Sequence, residues 1–280
     1  MGHEVLSSLP GIRLHVKTLG QLFVNAGQIL LVAILSTILI IVALVSRLFG
    51  PDAPLQVAGR LWGPGVLWIC GARFVVVGGE DIDWKKPHLF LMNHQSMLDI
   101  PAAFAAIRSP IRFVAKRILG SVPVLGWYMK ATRMILVNRE KGSEAVAAIR
   151  IAAERLQQGA SILIYPEGTR SRDGRLLPFK RGPFELAIAS QVDIVPLAIH
   201  GAAHVLPRGS ASPRRGVIRV AIGAPIATQG LVRADREALM ASVRGEIEAL
   251  HRSIGGEGYE PLDAEAPSKE HGGTVTARAS

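Results

Sequence analysis

The chain has 280 residues, room for one sizeable domain with appendages, and carries a formal net charge of +10 with a sequence pI near 10.3. Its single cysteine, Cys70, excludes an internal disulfide framework and a cysteine metal cluster, and points to a reducing compartment. The basic balance would suit nucleic acid, but there is no zinc-finger spacing and no aromatic-rich basic sheet signature. An anionic membrane surface accounts for it equally well and agrees with a hydrophobic content of 49% and a mean hydropathy of +0.30.

From the N-terminus, the first feature is an apolar stretch over residues 28–49. Between Ile29 and Val45 nothing is charged, and only Ser36 and Thr37 interrupt the apolar residues. That length sits at the lower edge of the roughly 17–25 residues that span a bilayer. It is too long and too far along the chain for an ordinary signal-peptide core, and no small-residue cleavage site follows it. A second apolar stretch covers residues 61–77 and holds Trp62 and Trp68, residues that favour the bilayer interface. Either the two stretches form a hairpin that dips into one leaflet, or the first spans alone. Arg13 and Lys17 before the first stretch, and Arg47 and Arg60 after it, are too evenly divided to set an orientation. Residues 1–78 are thus read as an N-terminal membrane-associated region.

Beyond residue 78, short apolar runs alternate with helical patterns. Strands are predicted over 88–92, 111–115, 133–137, 161–165, 194–199 and 217–222, all rich in Ile, Val and Leu. Helices are predicted over 144–158, with Ser143 before it and Gly159 after it, over 183–190, which opens on proline, and over 234–253, where Leu239, Val243, Ile247 and Leu250 share one face. Strands alternating with helices imply an α/β domain over 79–254, with a mostly parallel or mixed central sheet flanked by helices. The Gly-, Glu-, Pro-, Ser- and Thr-rich segment 255–280 is expected to be a disordered tail.

Several predicted strands end in polar residues. The first runs into Asn93 and His94, the second into Lys116, the third into Asn138 and Arg139, and the fourth into Pro166-Glu167-Gly168-Thr169-Arg170. Open α/β sheets bind ligands beyond the carboxyl ends of their strands. If these strands are parallel, a base, a carboxylate and several cations gather along one edge. His94 with Asp99 five positions on can form a base and its orienter: neutral imidazole takes a proton, and the carboxylate fixes the tautomer. Gly168 allows close approach to the backbone, and Arg170 offers a fork suited to phosphate. Glu167 reads as an organiser of the arginines rather than a second base. Arg172 and Arg175 read as solvated or membrane-contacting. Ser96 raises a rival, a covalent serine hydrolase, but its neighbours His94 and Leu98 do not make the Gly-x-Ser-x-Gly elbow.

These residues resemble the glycerolipid acyltransferase family, in particular the 1-acyl-glycerol-3-phosphate acyltransferases. Four blocks carry the resemblance: Asn-His-x4-Asp at Asn93, His94 and Asp99; an apolar strand ending in arginine at Arg139; an aromatic-Pro-Glu-Gly-Thr-Arg-Ser run from Tyr165 to Ser171; and the proline-containing strand at Ile194, Val195, Pro196 and Leu197. Lys116 and the run from Phe179 to Gly182 also fit. The resemblance covers about residues 85–225, and four blocks in order are specific as a set. Tyr165 departs from the commoner phenylalanine, a change expected to be tolerated.

The resemblance implies acyl transfer from acyl-CoA or acyl carrier protein to the sn-2 hydroxyl of lysophosphatidic acid. In that reading His94 and Asp99 are catalytic, while Asn93, Lys116, Arg139, Glu167, Gly168, Thr169 and Arg170 bind substrate. It implies no metal and no organic cofactor, anionic membrane lipid as a partner, no nucleic acid, and a catalytic domain on the cytoplasmic face of an inner membrane. Other classes remain open: an acyltransferase for another lysolipid such as an aminolipid, the Ser96 hydrolase, and a non-catalytic lipid-binding protein.

Overall fold

The computed structural model describes residues 10–137 and 142–258. Asn138 and Arg139, and the expected tail beyond residue 258, lie outside the described residues.

The β-branched and aromatic runs form seven strands: β1 (Ala72–Gly78), β2 (Leu89–Met92), β3 (Ile111–Lys116), β4 (Ile135–Val137), β5 (Ser161–Ile164), β6 (Ile194–His200) and β7 (Gly216–Ile222). They make one sheet in the order β1-β7-β6-β2-β5-β3-β4. From β6 to β4 the neighbours are parallel; β7 turns antiparallel to β6, and β1 runs parallel to β7. The sheet is therefore mixed, as the sequence pattern allows.

Alternation along the strands builds the core on both faces. In β2, Phe90 and Met92 join one apolar cluster, and Leu89 and Leu91 join the other. The first cluster is covered by α3 (Gly63–Ile69) and α4 (Asp99–Ala106). The second is covered by α6 (Gly142–Gln157), α7 (Gly182–Ser190) and α9 (Arg236–Ser253). Leu239, Val243 and Ile247 do face the sheet, as their spacing predicts.

The N-terminal region corrects one expectation. Helix α1 (Pro10–Ser46) is followed by α2 (Ala53–Val57), a π turn over Ala58–Trp62, and α3. This segment runs back along α1: Trp62 Nε1–H donates to Ser36 Oγ at 2.9 Å, and Gln28 Nε2–H donates to Ile69 O at 2.9 Å. A hairpin exists, but its returning arm ends at Ile69. Residues 72–78 are not membrane hairpin; they form strand β1, in one-to-one register with Gly216–Ile222. Gly71 at φ 73° turns the chain into the strand. At Gly78, φ 78°, an added Cβ would lie 2.2 Å from Ile222 O, so only glycine fits there.

Over Leu22–Phe49 the mean hydropathy is 3.1, and the side chains of Phe23, Ile38 and Val45 point outward. This helix is long and apolar enough to cross a membrane. Its return arm is fastened to α4. A Cβ at Gly63 would meet Pro101 O of α4 at 2.6 Å, so the two helices touch backbone to backbone.

Residues 255–258, assigned to the expected tail, are held against the domain. Gly258 O accepts the Leu176 N–H at 2.9 Å, and the Gly258 N–H donates to His251 Nδ1 at 3.2 Å.

Candidate active site

The parallel strands bring their carboxyl ends to one edge. The sharp turn after β2 carries Asn93 and His94, and α4 begins at Asp99. His94 Nδ1 lies 2.7 Å from Asp99 Oδ2. The same oxygen accepts the backbone N–H groups of Gln95 at 2.6 Å and Ser96 at 2.8 Å. Asp99 is fully buried and sits in the first turn of α4, where a negative charge is favoured. Accepting from Nδ1–H fixes the tautomer and leaves the lone pair on Nε2. Nε2 has no partner among the described residues, and the His94 side chain is 16% exposed.

A second set of contacts fixes the backbone of His94. Its N–H donates to Glu167 Oε1 at 2.9 Å, and its carbonyl accepts the Ser171 N–H at 2.8 Å. Glu167 Oε2 accepts the Leu177 N–H at 3.3 Å. Glu167 is therefore neither a second base nor an organiser of arginines: its carboxyl ties the loop after β5 to the turn carrying His94. Burial pushes its pKa up to about 8, against the two backbone hydrogen bonds that lower it; the Asp99 carboxylate adds to the rise.

Asn93 also has a different task from substrate binding. Its Nδ2–H donates to Ile199 O at 3.0 Å, and its Oδ1 accepts the Ile199 N–H at 2.7 Å. Both ends of a buried amide are consumed in stitching the end of β2 to β6. Ser96 is committed as well. Its Oγ–H donates to Leu206 O at 2.7 Å, and its oxygen accepts the Leu98 N–H at 3.2 Å. It makes no contact with His94, which removes the geometry a serine nucleophile needs.

Gly168 takes φ 71°, which glycine adopts without strain, and its N–H donates to Tyr165 O at 3.0 Å. Thr169 is exposed, and Arg170 is partly exposed with no carboxylate partner among the described residues. Lys116 is exposed at the end of β3. Gly168, Thr169, Arg170 and Lys116 thus lie on the edge that bears His94. Beside them opens an apolar pocket of about 180 Å³, lined by Val114, Ile149, Tyr165, Gly168, Lys180 and Leu186 among others.

Sequence reasoning missed three supports of His94. The first is Tyr165, whose ring stacks on the imidazole with centroids 3.9 Å apart at 13°. Its hydroxyl is buried without a partner, and burial, helped by Asp99, pushes the phenol well above its ordinary pKa. Replacing it by phenylalanine keeps the stack and removes an unpaired polar atom, so Tyr165→Phe is expected to raise stability by about 1–3 kcal/mol. Thermal unfolding checks this, with activity retained. The second support is the clamp from Glu167, and the third lies behind Gln95. Its Nε2 donates to Gly174 O at 2.8 Å and is 3.1 Å from Nε2 of the buried His251.

Burial first, and the neighbouring His200 second, push the His251 pKa down to about 4, with Glu248 and Glu257 opposing. The unfolded chain takes up this proton near pH 6.5 while the native chain refuses it. Its contribution to stability is therefore complete above pH 6.5 and is lost as pH falls toward 4, at most about 2 kcal/mol by pH 5. His251→Gln should flatten that acid limb in a melting-temperature series.

Residues 73–200 match the family described as Acyltransferase. The chain is 31% identical to mouse 1-acyl-sn-glycerol-3-phosphate acyltransferase alpha over 218 residues, covering 75% of this chain and 74% of the mouse protein. It is 32% identical over 155 residues to a 1-acyl-sn-glycerol-3-phosphate acyltransferase of Chlamydomonas reinhardtii, covering 53% of this chain. The chain spans less than half the length of that algal relative, 46%. In the crystal structure of the 1-acyl-sn-glycerophosphate acyltransferase PlsC of Thermotoga maritima the same fold recurs, with a TM-score of 0.73 at 23% identity over 85% of this chain and 97% of that one. The chain belongs to the glycerolipid acyltransferase family.

Proposed function

We propose that this protein moves a fatty acyl group from a thioester donor, acyl-CoA or acyl carrier protein, to the sn-2 hydroxyl of lysophosphatidic acid, giving phosphatidic acid. The observation that carries the reading is the His94–Asp99 pair: Nδ1 held at 2.7 Å by a buried carboxylate, Nε2 open on the strand edge. Nε2 accepts the proton of the lysolipid hydroxyl as its oxygen attacks the thioester carbonyl carbon. The C–S bond then breaks, and the departing thiolate takes the proton back from His94. Asp99 stabilises the imidazolium between the two steps. The backbone N–H groups of Thr169 and Arg170, which have no partner among the described residues, are the donors we assign to the oxyanion.

Arg170, Lys116 and, by the family pattern, Arg139 would hold the substrate phosphate; the apolar pocket beside Tyr165 would take an acyl tail. The thioester is already activated, so the chemistry calls for no metal or organic cofactor. We place the site at the cytoplasmic face of an inner membrane, with α1 and its return arm in one leaflet. The return arm's close seating on α4 favours this over a free crossing helix.

The test supplies lysophosphatidic acid and long-chain acyl-CoA to detergent-purified protein and follows both thiol release and phosphatidic acid. Wild type should make both in equal amounts. Arg170→Ala should raise KM for lysophosphatidic acid by about tenfold or more, as expected for a lost charge-assisted fork. Thiol without acylated lipid would mean hydrolysis, and turnover only with an aminolipid acceptor would reassign the substrate.

A further inference from the structure

The chain between β3 and β4 is built in an unusual way for a surface connection. It leaves the sheet at Lys116, forms a short 3-10 turn over Arg117–Ser121, and continues into α5 (Leu125–Ala131). Its apolar side chains point outward: Ile118 is 68% exposed, Trp127 60%, and Val122 and Leu119 are also exposed. Single exposed apolar residues are ordinary, but four within ten positions are not.

The segment is also rigidly shaped. Val124 is held at φ 65°, a genuine outlier for a β-branched residue. The Gly126 N–H donates to Val122 O at 2.7 Å, and a Cβ at Gly126 would come within 2.2 Å of Gly120 O. Two glycines in contact thus fold the connection tightly while its apolar side chains stay outside. Strain of this kind persists where the surrounding structure fixes it, and here it presents a surface rather than covering one.

Charge points to the occupant. From Ile100 to Val137 the sequence has no acidic residue, while Arg108, Arg112, Lys116, Arg117, Lys130 and Arg133 are basic. Of these, all but Arg112 are exposed, and Arg117 pairs with Glu144. Continuity adds a second argument: α5 packs against α1, and Tyr128 Oη–H donates to Pro54 O of α2 at 3.4 Å. The apolar ledge therefore adjoins the N-terminal hairpin on one side and the strand edge bearing Lys116 on the other.

We infer that residues 118–127 form a second membrane contact, seating the lipid–water interface of an anionic bilayer at the rim of the active site. Ile118, Leu119, Val122 and Trp127 enter the interfacial layer, and Lys116, Lys130 and Arg133 lie at the level of the lipid phosphates. The inference rests on the reading that the substrate is a membrane lipid, and it adds a function to a connection outside the family blocks: the hairpin holds the protein on the membrane, and the ledge sets the rim against the lipid.

The experiment uses the full chain in vesicles of phosphatidylcholine and phosphatidylglycerol. Ile118→Cys and Trp127→Cys, with Ala241→Cys on the exposed face of α9 as the control, carry an environment-sensitive fluorophore; the parent, whose Cys70 is buried, controls for background labelling. The expected result is a blue shift at 118 and 127 with quenching by chain-brominated lipid, and neither at 241. Aqueous emission at 118 and 127 in vesicles would overturn the inference. So would shielding without vesicles that grows with protein concentration, since a second copy would then cover the ledge.

A functional arm separates this inference from the proposed activity. The double variant Ile118→Asp with Trp127→Asp should raise KM for vesicle-borne lysophosphatidic acid by about tenfold or more, while turnover of a short-chain, monomeric lysophosphatidic acid stays unchanged. An equal loss on both substrates would overturn the ledge. A wild type inactive on both substrates would strike the activity instead, and the fluorophores would still report whether the ledge meets lipid.

Discussion

Alanine at position 94 is expected to lower kcat for acyl transfer by about 10²–10⁴-fold, the usual contribution of a positioned general base, with little change in KM for the lysolipid. The reason is geometric: Asp99 holds Nδ1 at 2.7 Å, which leaves the lone pair of His94 Nε2 facing the strand edge. Asp99→Asn should act through the same atom. An amide in place of Oδ2 would face the Nδ1–H with a donor or hold the ring in the other tautomer, and the expected loss approaches the ~10⁴-fold cost of a wrong tautomer. Ser96→Ala provides the contrast. It loses hydrogen bonds to Leu206 and Leu98, worth about 1 kcal/mol each, and should keep most of its turnover. Steady-state kinetics of the three variants checks the set; an inactive Ser96→Ala that is fully folded would revive the serine mechanism.

The second large effect concerns Glu167. Truncation to alanine strands two backbone N–H groups, those of His94 and Leu177, at an expected cost of about 2–6 kcal/mol. Because burial raises this carboxyl to about 8, the native chain keeps a proton that the unfolded chain has released near pH 4.5. Its stabilising contribution is therefore complete at low pH and is lost as pH rises from about 4.5 to 8, by about 1.4 kcal/mol for each pH unit, and is constant above that. Thermal melts in detergent from pH 5 to 9 should show wild type declining more steeply than Glu167→Gln, whose amide does not titrate. Parallel curves would show that Glu167 is ionised throughout and that the clamp is a charged one.

How much of this was legible in the sequence depended on how far apart the partners lie. His94 and Asp99 are five positions apart across a strand-to-helix turn, so their pairing could be read from spacing. The clamp from Glu167 to His94 joins residues 73 positions apart, and the stitch from Asn93 to Ile199 joins residues 106 apart. Polar character was visible at both sites, but the partner was not, so residues that hold the turn were read as residues that hold substrate. Tyr165 looked like a tolerated replacement for phenylalanine; its stacking on His94 depends on β2 and β5 being neighbours. Strand β1 was misplaced for a different reason. Apart from Arg73, residues 72–77 continue the apolar composition of 61–71, and it is the pairing with Gly216–Ile222 that shows them to be an edge strand. Helix α4 was passed over although Asp99 at its start and the alanines after it are helix signals.

The pairing of β1 with β7 also bears on how the protein can be divided. A soluble fragment cut at the apparent boundary after residue 78 would discard a whole strand along with the apolar helices. The amide and carbonyl groups of β7 would then face water in a row, an open edge inviting other chains to add to it. The apolar N-terminal helices run directly into an edge strand of the α/β sheet, so the two are best handled, stored and engineered as a single body.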